Sequence, residues 1–161
     1  MRALMIETAD QRLLEVVRRA LPRADADTLS VVAACAGLLA GVAYADRKFS
    51  NAEVDAVGRL LTTVEGIGPE GSSAIVQALE AHVVELSSVH AMRFARTLKE
   101  LGDRDLRLHL LAMLLELAGT DEQINHAEVN TLRQVTRALG LTQDDYNRLQ
   151  SEHRHKLDLL R

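Results

Sequence analysis

Residues 43–54 read AYADRKFSNAEV, and residues 118–129 read AGTDEQINHAEV. Each stretch sets an Asp (Asp46, Asp121), a large apolar residue three positions on (Phe49, Ile124), and then Ala-Glu-Val with its Glu (Glu53, Glu128) seven positions after the Asp. Each also carries the signature of a helix start. Ser50 or Asn125 stands at the N-cap, and the Glu stands at N3, where its carboxylate reaches back to the N-cap amide. A polar loop that opens on a helix is therefore written twice, and what surrounds it decides the fold.

Upstream of the first loop lies VVAACAGLLAGVAYA (31–45), and upstream of the second lies LRLHLLAMLLELA (106–118). Downstream, Val54, Val57, Leu60, Leu61 and Val64 recur at three and four, as do Val129, Leu132, Val135 and Leu139, which is the period of a helix face. The rest of the chain continues in this manner. Leu13, Leu14, Val17 and Leu21 trace a first helix that stops near Pro22. Pro69 suits the first turn of another, with Ile75, Val76, Leu79, Val83 and Leu86 on its inner face. Ser87 or Ser88 is placed to cap a helix through Met92, Phe94 and Leu98 to Gly102. Asp103 is placed to cap the next and Thr142 the last. No stretch alternates with period two. The expectation is an all-α single domain over 1–161, a bundle of seven to eight helices with short connections.

The repeat extends beyond the loops. Between 39–64 and 114–139, identities fall at Leu39/Leu114, Ala43/Ala118, Asp46/Asp121, Ala52/Ala127, Glu53/Glu128 and Val54/Val129, on helix faces and on the loop. A one-residue slip then aligns Gly66-Ile67 with Gly140-Leu141. Two copies of helix, acidic loop, helix, turn and helix, roughly 29–86 and 103–158, are expected to pack about a pseudo-two-fold axis. Two copies are too few for a solenoid.

Composition narrows the function. A chain of 161 residues with 47 % hydrophobic and 26 % charged residues has the make-up of a folded domain. The net charge of −4 gives no attraction to nucleic acid or to an anionic membrane, and 2 % aromatics leave no stacking platform. The apolar run 31–45 is shorter than the roughly 20 residues a bilayer requires and reads as a buried helix. One cysteine, Cys35, makes no internal disulfide and is expected to be inert in its apolar helix. With no basic, apolar leader at its start, the chain is expected to be cytoplasmic.

The acidic residues admit two readings. In one, Glu53 and Glu128 cap their helices, and Asp46 and Asp121 order turns. In the other, each Asp meets its Glu across the loop and the two pairs face each other. The mutual repulsion of the carboxylates is then relieved by a cation, and all-oxygen ligation suits Ca²⁺, Mg²⁺ or Mn²⁺ more than Zn²⁺. An EF-hand is excluded, since its bidentate Glu comes at loop position 12 after a Gly at 6.

The doubled pattern A-x-x-D-x-x-hydrophobic-polar-x-A-E between apolar helices, spanning roughly residues 29–150, resembles the TerB-like domain of tellurite-resistance proteins. The resemblance implies an all-helical, internally pseudo-symmetric, non-enzymatic module in a stress, tellurite or metal-response assembly. Its suspected divalent-metal ligands map to Asp46, Glu53, Asp121 and Glu128. The family usually has Gly after the Asp, where this chain has Arg47 and Glu122. Arg47 is placed to stand in for a cation.

Other signals carry less. GIGPEG (66–71) matches a dinucleotide fingerprint but follows a helix rather than a strand. TLRQVTRALGLTQDDYNRLQ (131–150) has a helix-turn-helix outline, yet Asp144 and Asp145 stand where phosphate would lie. The basic residues between Arg93 and Arg107 alternate with acids and read as a solvated face. His153 and His155, two apart, share no helix face. With no nucleophile elbow, P-loop or H-E-x-x-H, no enzyme is expected. The expected partners are proteins, with no nucleic acid and no membrane span, and a homodimer is an alternative to a monomer. The alternative is an adaptor domain whose acidic motifs are helix caps only.

Overall fold

The computed structural model describes residues 8–45, 47–64, 66–87, 91–118 and 126–159, with the side chains of all but 126–128 and 155–159. Among them are eight helices and no strand: α1 (Ala9–Ala20), α2 (Ala26–Ala43), α3 (Asn51–Leu61), α4 (Pro69–Glu85), α5 (Ala91–Leu101), α6 (Arg104–Ala118), α7 (His126–Ala138) and α8 (Gln143–Leu159). The protein is an all-α bundle, as its periodicity implies.

The ends of the helices follow local chemistry. Asp25 Oδ1 accepts the Thr28 N–H at 2.7 Å to start α2, and Asp103 Oδ1 accepts the Leu106 N–H at 2.8 Å to start α6. Pro69 opens α4 at a position where its missing N–H costs nothing. At the end of α7, Gly140 has φ +73°, and the N–H groups of Gly140 and Leu141 donate back to the carbonyls of Arg137 and Thr136. That pair of bonds is the Schellman closure, and the left-handed backbone it needs suits glycine. Two expectations shift. Val64 lies beyond α3, because the hydroxyls of Thr62 and Thr63 donate to the carbonyls of Arg59 and Leu60 and turn the chain after Leu61. Ser87 is not the cap of α5, since its hydroxyl donates to the Val84 carbonyl of α4 at 3.2 Å. Ser88 lies outside the described residues.

α2 is the centre of the bundle, packed against α1, α3, α4, α5, α6 and α7. Its eighteen residues, with mean hydropathy 1.8, are long and apolar enough to cross a membrane, yet 61 % of the stretch is buried against the rest of the protein. A helix apolar on every side is a core helix when neighbours surround it. Its Ala and Gly residues allow close approach. A Cβ at Gly37 would stand 2.3 Å from Cε2 of Phe94 in α5, so the ring occupies the space a side chain would take. One turn on, Gly41 lets Ala91 come to 3.6 Å of the same kind of position. The core continues through Leu38, Leu39, Leu79, Leu98, Leu110, Leu111 and Leu114, all fully buried.

The start of α6 holds the α7–α8 turn. Arg107 Nη1 donates to the Leu139 carbonyl at 2.7 Å, placing a cation at the negative end of α7. Arg104 grips Asp145 with both terminal nitrogens, at 2.7 and 3.3 Å. Asp145 also forms a capping box with Thr142: the Thr142 N–H donates to Oδ2 at 2.9 Å, and the Asp145 N–H donates to Thr142 Oγ1 at 3.1 Å. The Arg104 guanidinium first, and the Thr142 N–H after it, hold the Asp145 carboxyl down at about 2. These ties orient α7 against the end of α2, where the first acidic loop begins.

Candidate functional site

The first acidic loop runs from the end of α2 to the start of α3. Glu53 takes the predicted role: the Ser50 N–H donates to its Oε1 at 3.1 Å, and its own N–H donates to Ser50 Oγ at 3.1 Å. The capping box read from SNAE is present, and Glu53 is only 2 % exposed. A cap on a solvated helix end does not need such burial. Removing a carboxylate from water is costly unless it is hydrogen-bonded or paired, and the Ser50 N–H is one such partner.

Asp46 and Asp121 lie outside the described residues. Glu128 is the third residue of α7, with a side chain outside the described set. Among the described residues, no group of three or more His, Cys, Asp or Glu side chains is placed to hold a metal ion. Three of the four expected ligands fall outside that search, so it bears on Glu53 alone.

Arg47, which stands where the resemblance expects glycine, has φ +67°. The chain keeps the left-handed turn and bears the strain of a side chain in it, of order 1–2 kcal/mol for an L-residue. Arg47 is exposed. It lines a cavity of about 460 Å³, shared with Tyr44 and Ala45 of the same loop and with Thr131 and Gln134 of α7. Met92 and Ala91 of α5 close another side.

This cavity brings together what the sequence keeps apart. Tyr44, Ala45 and Arg47 flank Asp46 on both sides, and Thr131 lies one helical turn after Glu128. The first loop thus abuts the helix that the second loop opens. In the reverse direction, α3 packs on α6, the helix that leads into the second loop. That Tyr44, Thr131 and Gln134 share a cavity was not legible, because each is an ordinary helix-end or surface residue by type and only the α2–α7 contact brings them together.

The model of the TerB family, described as tellurite resistance protein TerB, matches residues 32–151. No curated protein and no solved structure matches the chain.

Proposed function

Because the chain belongs to the TerB family, we propose that it is a non-catalytic helical module whose two acidic loops together bind one divalent cation, and whose cation-ordered surface joins protein partners in a stress or tellurite-response assembly. The observation that carries this reading is the shared cavity: residues on both sides of Asp46 line it together with the turn of α7 that follows Glu128. Asp46, Glu53, Asp121 and Glu128 are the ligands proposed. Glu53 is the one of the four whose side chain is described: it is buried at the start of α3, with Oε1 on the Ser50 N–H. An all-oxygen set favours Ca²⁺, Mg²⁺ or Mn²⁺ over Zn²⁺. The two copies of helix, loop and helix then face each other across a pseudo-two-fold axis, in line with the reciprocal α2–α7 and α3–α6 contacts.

The second reading is an adaptor domain in which the carboxylates are caps alone, and the Ser50–Glu53 box favours it. Glu53→Gln separates the two. Gln serves a capping box as Glu does, so the cap survives while a charged ligand is lost. The measurement is thermal unfolding of chelator-treated protein with each of Ca²⁺, Mg²⁺, Mn²⁺ and Zn²⁺. At 100 times Kd a specific ion adds about 2.7 kcal/mol. The proposal expects that gain with one ion in the parent protein, and its loss in Glu53→Gln and in Asp46→Asn/Asp121→Asn. No gain with any ion in the parent protein leaves the adaptor as the function.

A further inference from the structure

A second cavity, of about 250 Å³ and partly open to solvent, lies between α2, α6 and the turn after α3. α2 contributes Val32, Cys35 and Leu39 to its wall, and α6 contributes Leu110 and Met113. Val64, displaced from α3 by the Thr62–Thr63 turn, supplies part of the rim. Among the described lining residues none is an acid, a lysine or an arginine. The polar groups are Thr63, His109 and the thiol of Cys35. The Thr63 hydroxyl proton is already committed to the Leu60 carbonyl at 2.6 Å. His109 is exposed, at the mouth rather than in the depth.

Its floor is formed by the buried Val32, Leu39, Leu61 and Leu110, and an apolar cleft of this kind leaves dispersion contacts unmade that a guest of the right shape restores. An apolar cavity of about 150 Å³ stays dry and takes up benzene, and this one is larger while still below the roughly 300 Å³ at which sites for drug-sized ligands begin. We propose that this cavity is a binding site for a small, neutral, apolar molecule with the bulk of a single ring or a short alkyl chain. A charged guest is disfavoured because no described lining residue of opposite charge would offset the loss of its hydration. The site is independent of the cation proposal, since it shares no described residue with the cavity lined by Tyr44 and Arg47.

Cys35, the one cysteine of the chain, lies in the wall and reports on occupancy. Burial pushes its thiol up to about 12, so alkylation is slow and is best followed at a fixed alkaline pH with iodoacetamide. The probe is benzene, with benzoate as the same ring carrying a charge. At ten times its Kd, benzene is expected to slow alkylation of Cys35 about tenfold by mass action, and benzoate at equal concentration to leave the rate unchanged. Val31 of α2 and Leu106 of α6 also line the cavity, so Val31→Phe and Leu106→Phe fill it from opposite walls and are expected to abolish the protection. An unchanged rate in near-saturated benzene overturns the proposal. So does equal protection by benzoate, or protection that persists in a folded filled variant. The benzene–benzoate comparison on the parent protein decides the matter even where a variant fails to fold.

Discussion

Substituting Gly37 by Ala tests whether the closeness of α2 and α5 is a requirement or an accident of composition. The added Cβ would stand 2.3 Å from Phe94 Cε2 and 2.5 Å from Cδ2, against 3.4–4 Å for ordinary contact, so the ring must withdraw by about 1 Å. Phe94 is 7 % exposed and Ala95 and Leu98 beside it are fully buried, which leaves little room for that movement. Overpacking of this kind costs about 1–3 kcal/mol, and the helix propensity of Ala over Gly returns about 1 kcal/mol. With so little room for the ring the cost falls in the upper part of that range, about 2–3 kcal/mol, which leaves a net loss of about 1–2 kcal/mol, or roughly 2–8 °C in Tm for a domain of this size. Urea unfolding of the four members of a Gly37→Ala, Phe94→Ala cycle measures it. Phe94→Ala alone should cost about 3–5 kcal/mol through the cavity it leaves. In that background Gly37→Ala should change sign and stabilise by up to about 1 kcal/mol, because the Cβ enters vacated space. The reasoning is refuted if Gly37→Ala is neutral or stabilising in the parent protein, or if its cost is the same with the ring removed.

Two further perturbations follow from the backbone and the charges. Arg47→Gly should raise stability by about 0.5–1 kcal/mol in thermal melting, since glycine adopts φ +67° without strain and only part of that gain is lost to the freer unfolded chain. Arg47→Val, β-branched at the same angle, should lower it. Asp145, held at about 2 in the folded protein against 3.8 for the unperturbed group, contributes stability that is present above about pH 4 and is lost as pH falls through 2. Because Arg104 is 53 % exposed and screened, the contribution is on the order of 1 kcal/mol. Acid unfolding of Asp145→Asn should show a shallower loss between pH 4 and 2 than the parent protein, and a carboxyl resonance of Asp145 titrating near 4 would contradict the pairing.

What could be read from the chain alone was whatever depends on near neighbours. The three-and-four spacing of Leu13 to Leu21 or Val54 to Leu61 specifies a helix because successive turns of one segment share a face. Asp103, Thr142 and the Ser50–Glu53 box cap their helices through bonds that close within three residues, and Gly140 ends α7 through its own backbone freedom. Glu53 was legible as a capping residue for the same reason. Its burial was not, because burial depends on what other segments cover it. Nor did the spacing show that Gly37 would receive the Phe94 ring. Arg104 met Asp145 across 41 residues, and Arg107 met Leu139 across 32, by the same kind of long-range contact. The fate of Arg47 was likewise a tertiary matter: its side chain bears a left-handed turn because the ends of α2 and α3 have to meet there. Periodicity says which face of a helix is apolar, but it does not say which neighbour covers that face. The choice of neighbour in turn decides which loop residues meet α7 around a shared cavity and where α2 and α6 leave a void.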